Sequence, residues 1–221
     1  MESGTFAIVG RSSDGRRLGV AVAAALPAAG AFCLAARAGV GAVSVQGQVQ
    51  PALRARLLDL MAEGVAAEEA LARIWQADAG RERRQVLALG RTGPATAATG
   101  EGVAGFAGSA TGSDCAAAGS HLAHADVPGA MAAAFEGSPS SDLPERLMRA
   151  LEAGGRAGGD ARGTHSAAIL VVDRDGYPYL DLRVDEHSAP LAELRRLVDH
   201  QAEHFLPGYE AWLKALEAEG G

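Results

Sequence analysis

Two apolar runs open the chain, Thr5 to Val9 and Leu18 to Ala25, with the polar stretch Arg11 to Arg17 between them and Asp14-Gly15 inside it. Short apolar runs divided by a turn dipeptide predict a β-hairpin of two buried strands. A third strand region is predicted over Arg37 to Gln46, where repeated glycines signal close backbone approach or bulging. After Pro51 the period changes from two toward 3.6. Leu53, Leu57, Leu58 and Met61 share one helical face, Gly64 marks a stop, and Ala67 to Ala77 forms a second helix carrying Leu71, Ile74 and Trp75. This reads as a helical hairpin.

Gln85 to Leu89 and Ala95 to Thr99 read as short strands around a turn at Thr92-Gly93-Pro94, with a further short strand over Cys115 to Gly119. Helices follow at Pro128 to Phe135 and Leu143 to Ala153, the second ended by the run Gly154 to Gly159. Ser166 to Asp173 is the strongest strand, leading through Asp175-Gly176 into Tyr179 to Val184. Pro190 to Leu206 is predicted as the last amphipathic helix, with Leu191, Leu194, Val198 and Phe205 inward, and Trp212, Leu213 and Leu216 add a short helix in the tail. Strands, a helix pair, strands, helices and strands again predict an α+β fold, two antiparallel sheets between helix layers, as one domain over residues 1–221 with a helical tail from about 190.

Composition narrows the function classes. A net charge of −7 disfavours nucleic-acid partners, which need clustered positive charge. Of the 20 basic residues only Lys214 is a lysine, so a lysine base is available only in the tail. Cys33 and Cys115 lack metal or disulfide-framework spacing, so reducing cytoplasm is the expected compartment. Arg16-Arg17 ahead of the uncharged run Leu18 to Ala36 imitates a twin-arginine signal. That run is alanine-rich and broken by Gly19, Pro27 and Gly30, so neither a leader nor a membrane span is expected. Gly39-Val40-Gly41 lacks the third glycine of a dinucleotide fingerprint and no phosphate loop occurs, so no cofactor is expected.

The sharpest chemical proposal is Thr5. As a free N-terminus it would carry a nucleophilic hydroxyl and, on the same residue, an amine basic enough to take its proton near neutral pH. Met1 to Gly4 precede it, so the Gly4–Thr5 bond would have to be cut. Arg37, among apolar residues, calls for an anionic partner: near Thr5 it would tune the nucleophile or hold a carboxylate, elsewhere it would form a structural ion pair. Asp181, Arg183, Asp185 and His187 share one strand face by period two, as a substrate or metal site or a solvated face. Asp160, Arg162 and His165 sit in a glycine-rich loop entering the strongest strand. Gly119-Ser120-His121 offers oxyanion donors or, with His124 and Asp126, a weak metal pattern, while His200 and His204 fall on a polar helix face.

Thr5-Phe6-Ala7-Ile8-Val9, Leu18-Gly19-Val20-Ala21-Val22-Ala23, Arg37-Ala38-Gly39-Val40-Gly41-Ala42-Val43, Gly158-Gly159-Asp160-Ala161-Arg162-Gly163 with Ser166-Ala167-Ala168, and Asp181-Leu182-Arg183-Val184-Asp185 together resemble the bacterial family known as domain of unknown function 1028. The resemblance runs from residue 5 to about 198. It implies an Ntn-hydrolase-like αββα sandwich and, commonly, a homo-oligomer. Thr5 matches the family's near-terminal threonine, and Arg37 lies at roughly the separation at which proteasome-type Ntn subunits place their activating lysine. Where the family usually has Gly-Asn this chain has Gly119-Ser120, and where it has glutamine this chain has His165. The resulting expectation is an amidohydrolase acting on a small C–N amide. Thr5 and Arg37 are its catalytic pair, and Ser120, Asp160, Arg162, His165, Asp181 and Arg183 contact a small-molecule substrate. Two other readings stay open, a non-catalytic binding or structural protein on the same fold and a metal-dependent site around Asp185 and His187.

Overall fold

The structure, a computed structural model, describes residues 2–139, 141–174 and 176–219. Eleven strands among them form two antiparallel sheets. The larger has the order β11 (Pro178–Val184), β10 (Ser166–Val172), β3 (Leu18–Ala24), β2 (Thr5–Arg11), β9 (Cys115–Leu122), β8 (Phe106–Thr111). The smaller is centred on β5 (Gly41–Gln48), with β6 (Arg84–Gly90) and then β7 (Thr96–Thr99) on one edge. On its other edge β4 (Leu34–Arg37) and β1 (Glu2–Ser3) lie end to end, pairing with Gly41 to Ser44 and with Gly47 to Gln48 respectively.

Strand parity sorts the side chains into three layers. Between the sheets lie small residues, Ala7, Val9, Ala24, Ala42, Ala116, Ala118 and Ala168, with Val20, Val22, Leu87 and Leu89. On the outer face of the smaller sheet, Val43, Val45, Val86 and Ala88 pack against α2 (Pro51–Ala62) and α3 (Ala67–Ala77). On the outer face of the larger sheet, Phe6, Ile8 and Ile169 meet Met131 and Phe135 of α4 (Val127–Glu136), Leu147 and Leu151 of α5 (Leu143–Arg156), and Leu194 and Val198 of α6 (Pro190–His200). The result is a four-layer αββα sandwich. Among the described residues, no helix is long and apolar enough to cross a membrane.

Local chemistry accounts for most boundaries. Pro51 opens α2, where its missing N–H costs nothing, and Gly64 at φ +89° turns the chain toward α3. Asp142 caps α5 by accepting from the Glu145 amide at 3.2 Å.

Several elements differ from the sequence reading. The stretch from Arg37 to Gln46 is not one strand: Arg37 ends β4, Gly39 at φ +71° makes the turn, and β5 begins at Gly41. β8 has no apolar alternation because it is an exposed edge strand, and it leaves no strand signal in Phe106 to Thr111. Gly154 and Gly155 do not stop α5. A methyl on Gly154 would stand 2.9 Å from Met131 Cγ and 3.0 Å from Phe6, so this glycine serves close approach. Phe205 is exposed because the helix widens into a π turn over Gln201–Phe205, and its ring stacks on Tyr209, 5.5 Å away, in the 14-residue α7 (Leu206–Glu219). Asp175 of the predicted turn and Met1 lie outside the described residues.

Candidate active site

At one end of the inter-sheet layer the small apolar side chains give way to uncharged polar ones. Thr5 has the parity of Ala7 and Val9 and so faces the smaller sheet, fully buried. Register sets Ser120 opposite it on one side and Ala24 on the other, with Ser166 opposite Ala24 one strand further. Ser44 and Gln46 of β5 and Gln85 of β6 have the inward parity of Ala42, Leu87 and Leu89, and all three are fully buried.

These amides cross-link the sheets. Gln46 Nε2 donates to Gln85 Oε1 at 2.6 Å and to the Ala118 carbonyl of β9 at 3.2 Å. Gln85 Nε2 donates to Thr99 Oγ1 at 2.9 Å and to the carbonyls of Gly108 and Gly119, each at 3.1 Å. A buried amide needs such partners to offset its lost hydration. The strand that carries Ser120, β9, is thereby held from the opposite sheet. Nothing in the sequence marks this pair as a unit; only strand parity over Gly41 to Gln48 and Arg84 to Gly90 would have pointed to it.

The N-terminal segment crosses between the sheets here. Glu2 and Ser3 pair with Gln48 and Gly47 in the smaller sheet, Thr5 begins β2 in the larger, and buried Gly4 joins them. The Gly4 carbonyl accepts from the Ala25 amide at 3.4 Å. On its other side stands the buried carboxylate of Asp160, which accepts from the Arg162 amide at 2.9 Å, from Arg162 Nε at 3.1 Å and from its terminal nitrogen at 3.0 Å. A methyl group on Gly4 would overlap both the carboxylate and the guanidinium, so only glycine lets this peptide lie against the ion pair. The hydrogen bonds that Arg162 donates to Asp160 raise the Arg162 pKa further, and the guanidinium keeps its charge.

The loop carrying that pair is tied to the end of β9 by hydrogen bonds from the Ala161 amide to His121 O at 2.9 Å and from the Ala123 amide to Gly159 O at 3.0 Å. His121 bends the strand there at φ +52°, a conformation rare outside glycine, and its Nδ1 is buried without a hydrogen-bond partner among the described residues. Thr5, Ser120, Asp160 and Arg162 are thus gathered around one peptide bond.

The other candidates lie elsewhere. Arg37 pairs with Asp59 at 2.8 Å and ends β4 opposite Gly41. Gly41 lies six residues along β5 from the Gly47–Ser3 pair, about 20 Å at roughly 3.3 Å per residue. Its place beside Thr5 is therefore corrected to an exposed ion pair at the far end of the sheet. Arg37 instead shares an open cleft of about 560 Å³ with Asp181. Asp181 and Arg183 are exposed on β11, the edge strand three places from β2, and Arg183 is bound to Asp185 at 2.9 Å. The His165 side chain is exposed and meets Glu186 at 3.1 Å, while its amide donates to Ala24 O at 2.8 Å. His187 Nδ1 accepts from the Ala189 amide at 3.0 Å, and among the described residues no group of three or more His, Cys, Asp or Glu is arranged to hold a metal.

Beside the crossing lies a pocket of about 470 Å³, walled by Leu26, Pro27, Phe32, Val49 and Pro51 and adjoined by Gln48. Its two walls are the segments that flank Glu2 to Gly4, since Gln48 pairs with Glu2 and Ala25 bonds Gly4.

A family model described as a family of unknown function, DUF1028, matches residues 5–194. The chain belongs to this family. The match starts at Thr5 and leaves out both the crossing segment and α7. No curated protein matches the chain. Among solved structures, the DUF1028 protein SPO2555 from Silicibacter pomeroyi superimposes with a TM-score of 0.85 at 29% identity, over 93% of each chain. Anbu, an ancestral β-subunit, from Yersinia bercovieri aligns over 96% of each chain with a TM-score of 0.44 and 12% identity.

Proposed function

We propose that this DUF1028 protein is an N-terminal-nucleophile amidohydrolase of the reducing cytoplasm, with Thr5 as nucleophile once the Gly4–Thr5 bond has been cut. The observation that carries the reading is the setting of that bond. It is buried, lies against the Asp160–Arg162 ion pair, accepts a hydrogen bond from Ala25, and leads directly into a threonine paired beside Ser120 at the edge of an uncharged polar layer. The family match beginning at Thr5 adds support.

In this reading the Thr5 hydroxyl attacks the acyl carbon of a small amide while its α-amine takes the proton and returns it to the leaving nitrogen. Water then hydrolyses the acyl ester, releasing the acid and restoring Thr5. Arg162, fixed by Asp160, supplies the positive charge beside the site that Arg37 is too distant to give. The test is turnover of a neutral amide panel by protein cut after Gly4, compared with the uncut chain and with Thr5→Ala. Turnover confined to the cut wild-type protein supports the proposal; turnover by Thr5→Ala refutes it.

A second reading has its own observation. In the uncut chain Glu2 and Ser3 complete an edge of the smaller sheet and Thr5 is sealed. A protein that stays in this state is a binding or structural member of the fold.

A further inference from the structure

We propose that the pocket beside Gly4 binds a small, uncharged, apolar group, and that in the amidohydrolase reading, on which this assignment of substrate class rests, that group is the acyl half of the substrate. The wall side chains are hydrocarbon, and among the described residues none that lines the pocket carries a charge: Leu26 and Pro27 lead into α1 (Ala29–Cys33), which contributes Ala29, Phe32 and Cys33, while Val49 and Pro51 face them from the exit of β5. Among the described residues, Gln48 is the only lining residue with a strongly polar side chain. The Cys33 thiol is buried, which pushes its pKa up to about 12 and keeps it neutral. Arg54, whose field reaches Cys33, donates from one terminal nitrogen to the carbonyls of Ala31 at 3.0 Å and Leu34 at 2.6 Å and from Nε to the Pro51 carbonyl at 3.3 Å, and it is not among the lining residues.

An acyl chain ending in a carboxylate would therefore enter the pocket without a counter-charge, whereas an aliphatic chain of similar length replaces water on an apolar wall. A volume of about 470 Å³ suits a group of several carbons and one amide, whose polar end Gln48 can meet. The position fits the proposed chemistry, because the pocket borders the segment 2–4 that must leave for Thr5 to be exposed.

The experiment is a binding comparison on the full-length chain by ligand-observed NMR, using hexanamide and its ω-carboxylate analogue adipamic acid at pH 7. Hexanamide is expected to bind at least about 100-fold more tightly, the discrimination that an unpaired charge imposes in an apolar site. Phe32 is 52% exposed on its short helix, so Phe32→Lys tests the charge argument without emptying a core. It should narrow the ratio by about tenfold or more. Equal or tighter binding of adipamate by the wild type, or an unchanged ratio in Phe32→Lys, overturns the proposal. Selective binding of hexanamide by a protein that hydrolyses no amide sustains the pocket's selectivity and removes only the amidohydrolase reading.

Discussion

The two faces of β2 show how this sandwich divides its work. Phe6 and Ile8 look outward into large side chains of α4 and α5, whereas Thr5, Ala7 and Val9 look inward at a layer made mostly of alanine and valine. The outer face buries the most apolar area per residue and holds the fold together. The inner face contributes less per residue, but it lets two sheets approach closely enough for Gln46 and Gln85 to reach backbone carbonyls of the opposite sheet. The inner layer turns polar at the Thr5 end, where the proposed chemistry sits.

The comparison breaks most visibly if the outer face is emptied. Phe6→Ala should cost about 3–5 kcal/mol, seen as a large fall in urea midpoint, because the fully buried ring closes on Gly154 and Gly159. Overfilling the same face is the milder version. Gly10→Ala would place a methyl 2.5 Å from the Phe135 ring and should cost about 1–3 kcal/mol by the same measurement.

On the inner face, Gln85→Leu removes the donor to the Gly108 and Gly119 carbonyls and the acceptor of Gln46. A loss of about 1–3 kcal/mol is expected despite the added hydrophobicity. If this substitution stabilised the protein, the polar end of the layer would be packing rather than cross-linking.

The pH dependence sharpens the same division, because Ser44, Gln46, Gln85, Ser120 and Thr5 carry no charge, whereas Asp78 beside Arg84 at the start of β6 titrates. Burial raises the Asp78 pKa, but hydrogen bonds from Arg84 and the Gly80 amide outweigh it and hold the carboxyl below its usual 3.8. A depressed folded-state pKa gives stability that is fully present above the unfolded value and is lost as pH falls through the folded one. Asp78→Asn should therefore lower stability at pH 7 and flatten its loss below about pH 4, measured by urea titration across that range. The smallest stability effect belongs to Thr5→Val, which keeps the side chain's shape but removes a buried hydroxyl, expected to cost about 0.5–1.5 kcal/mol while abolishing any amide hydrolysis.

Much of this fold was legible because its buried strands and amphipathic helices carry strong periods. Ala67 to Ala77 was read with the boundaries that α3 has, and Leu18 to Ala25 ends within a residue of β3. The losses came where packing overrides pattern. Gly154 reads as a stop but serves close approach to Phe6, and the exposed edge strand β8 needs no apolar alternation. The site was legible in parts. Thr5, Ser120, Asp160 and Arg162 stood out as residue types and meet around Gly4, but Arg37 was placed by its distance along the chain, and the turn at Gly39 carries it to the wrong end of β5. Gln46 and Gln85, 39 positions apart, have no shared sequence signature, since their partnership exists only after both sheets have formed.

The measurement closest to the central claim is intact mass of the protein fraction that hydrolyses amide, taken alongside its activity. The account predicts that activity tracks the species beginning at Thr5, having lost Met1 to Gly4, and that the uncut chain is inert. Full activity in a chain whose mass still includes Met1 to Gly4 would contradict it.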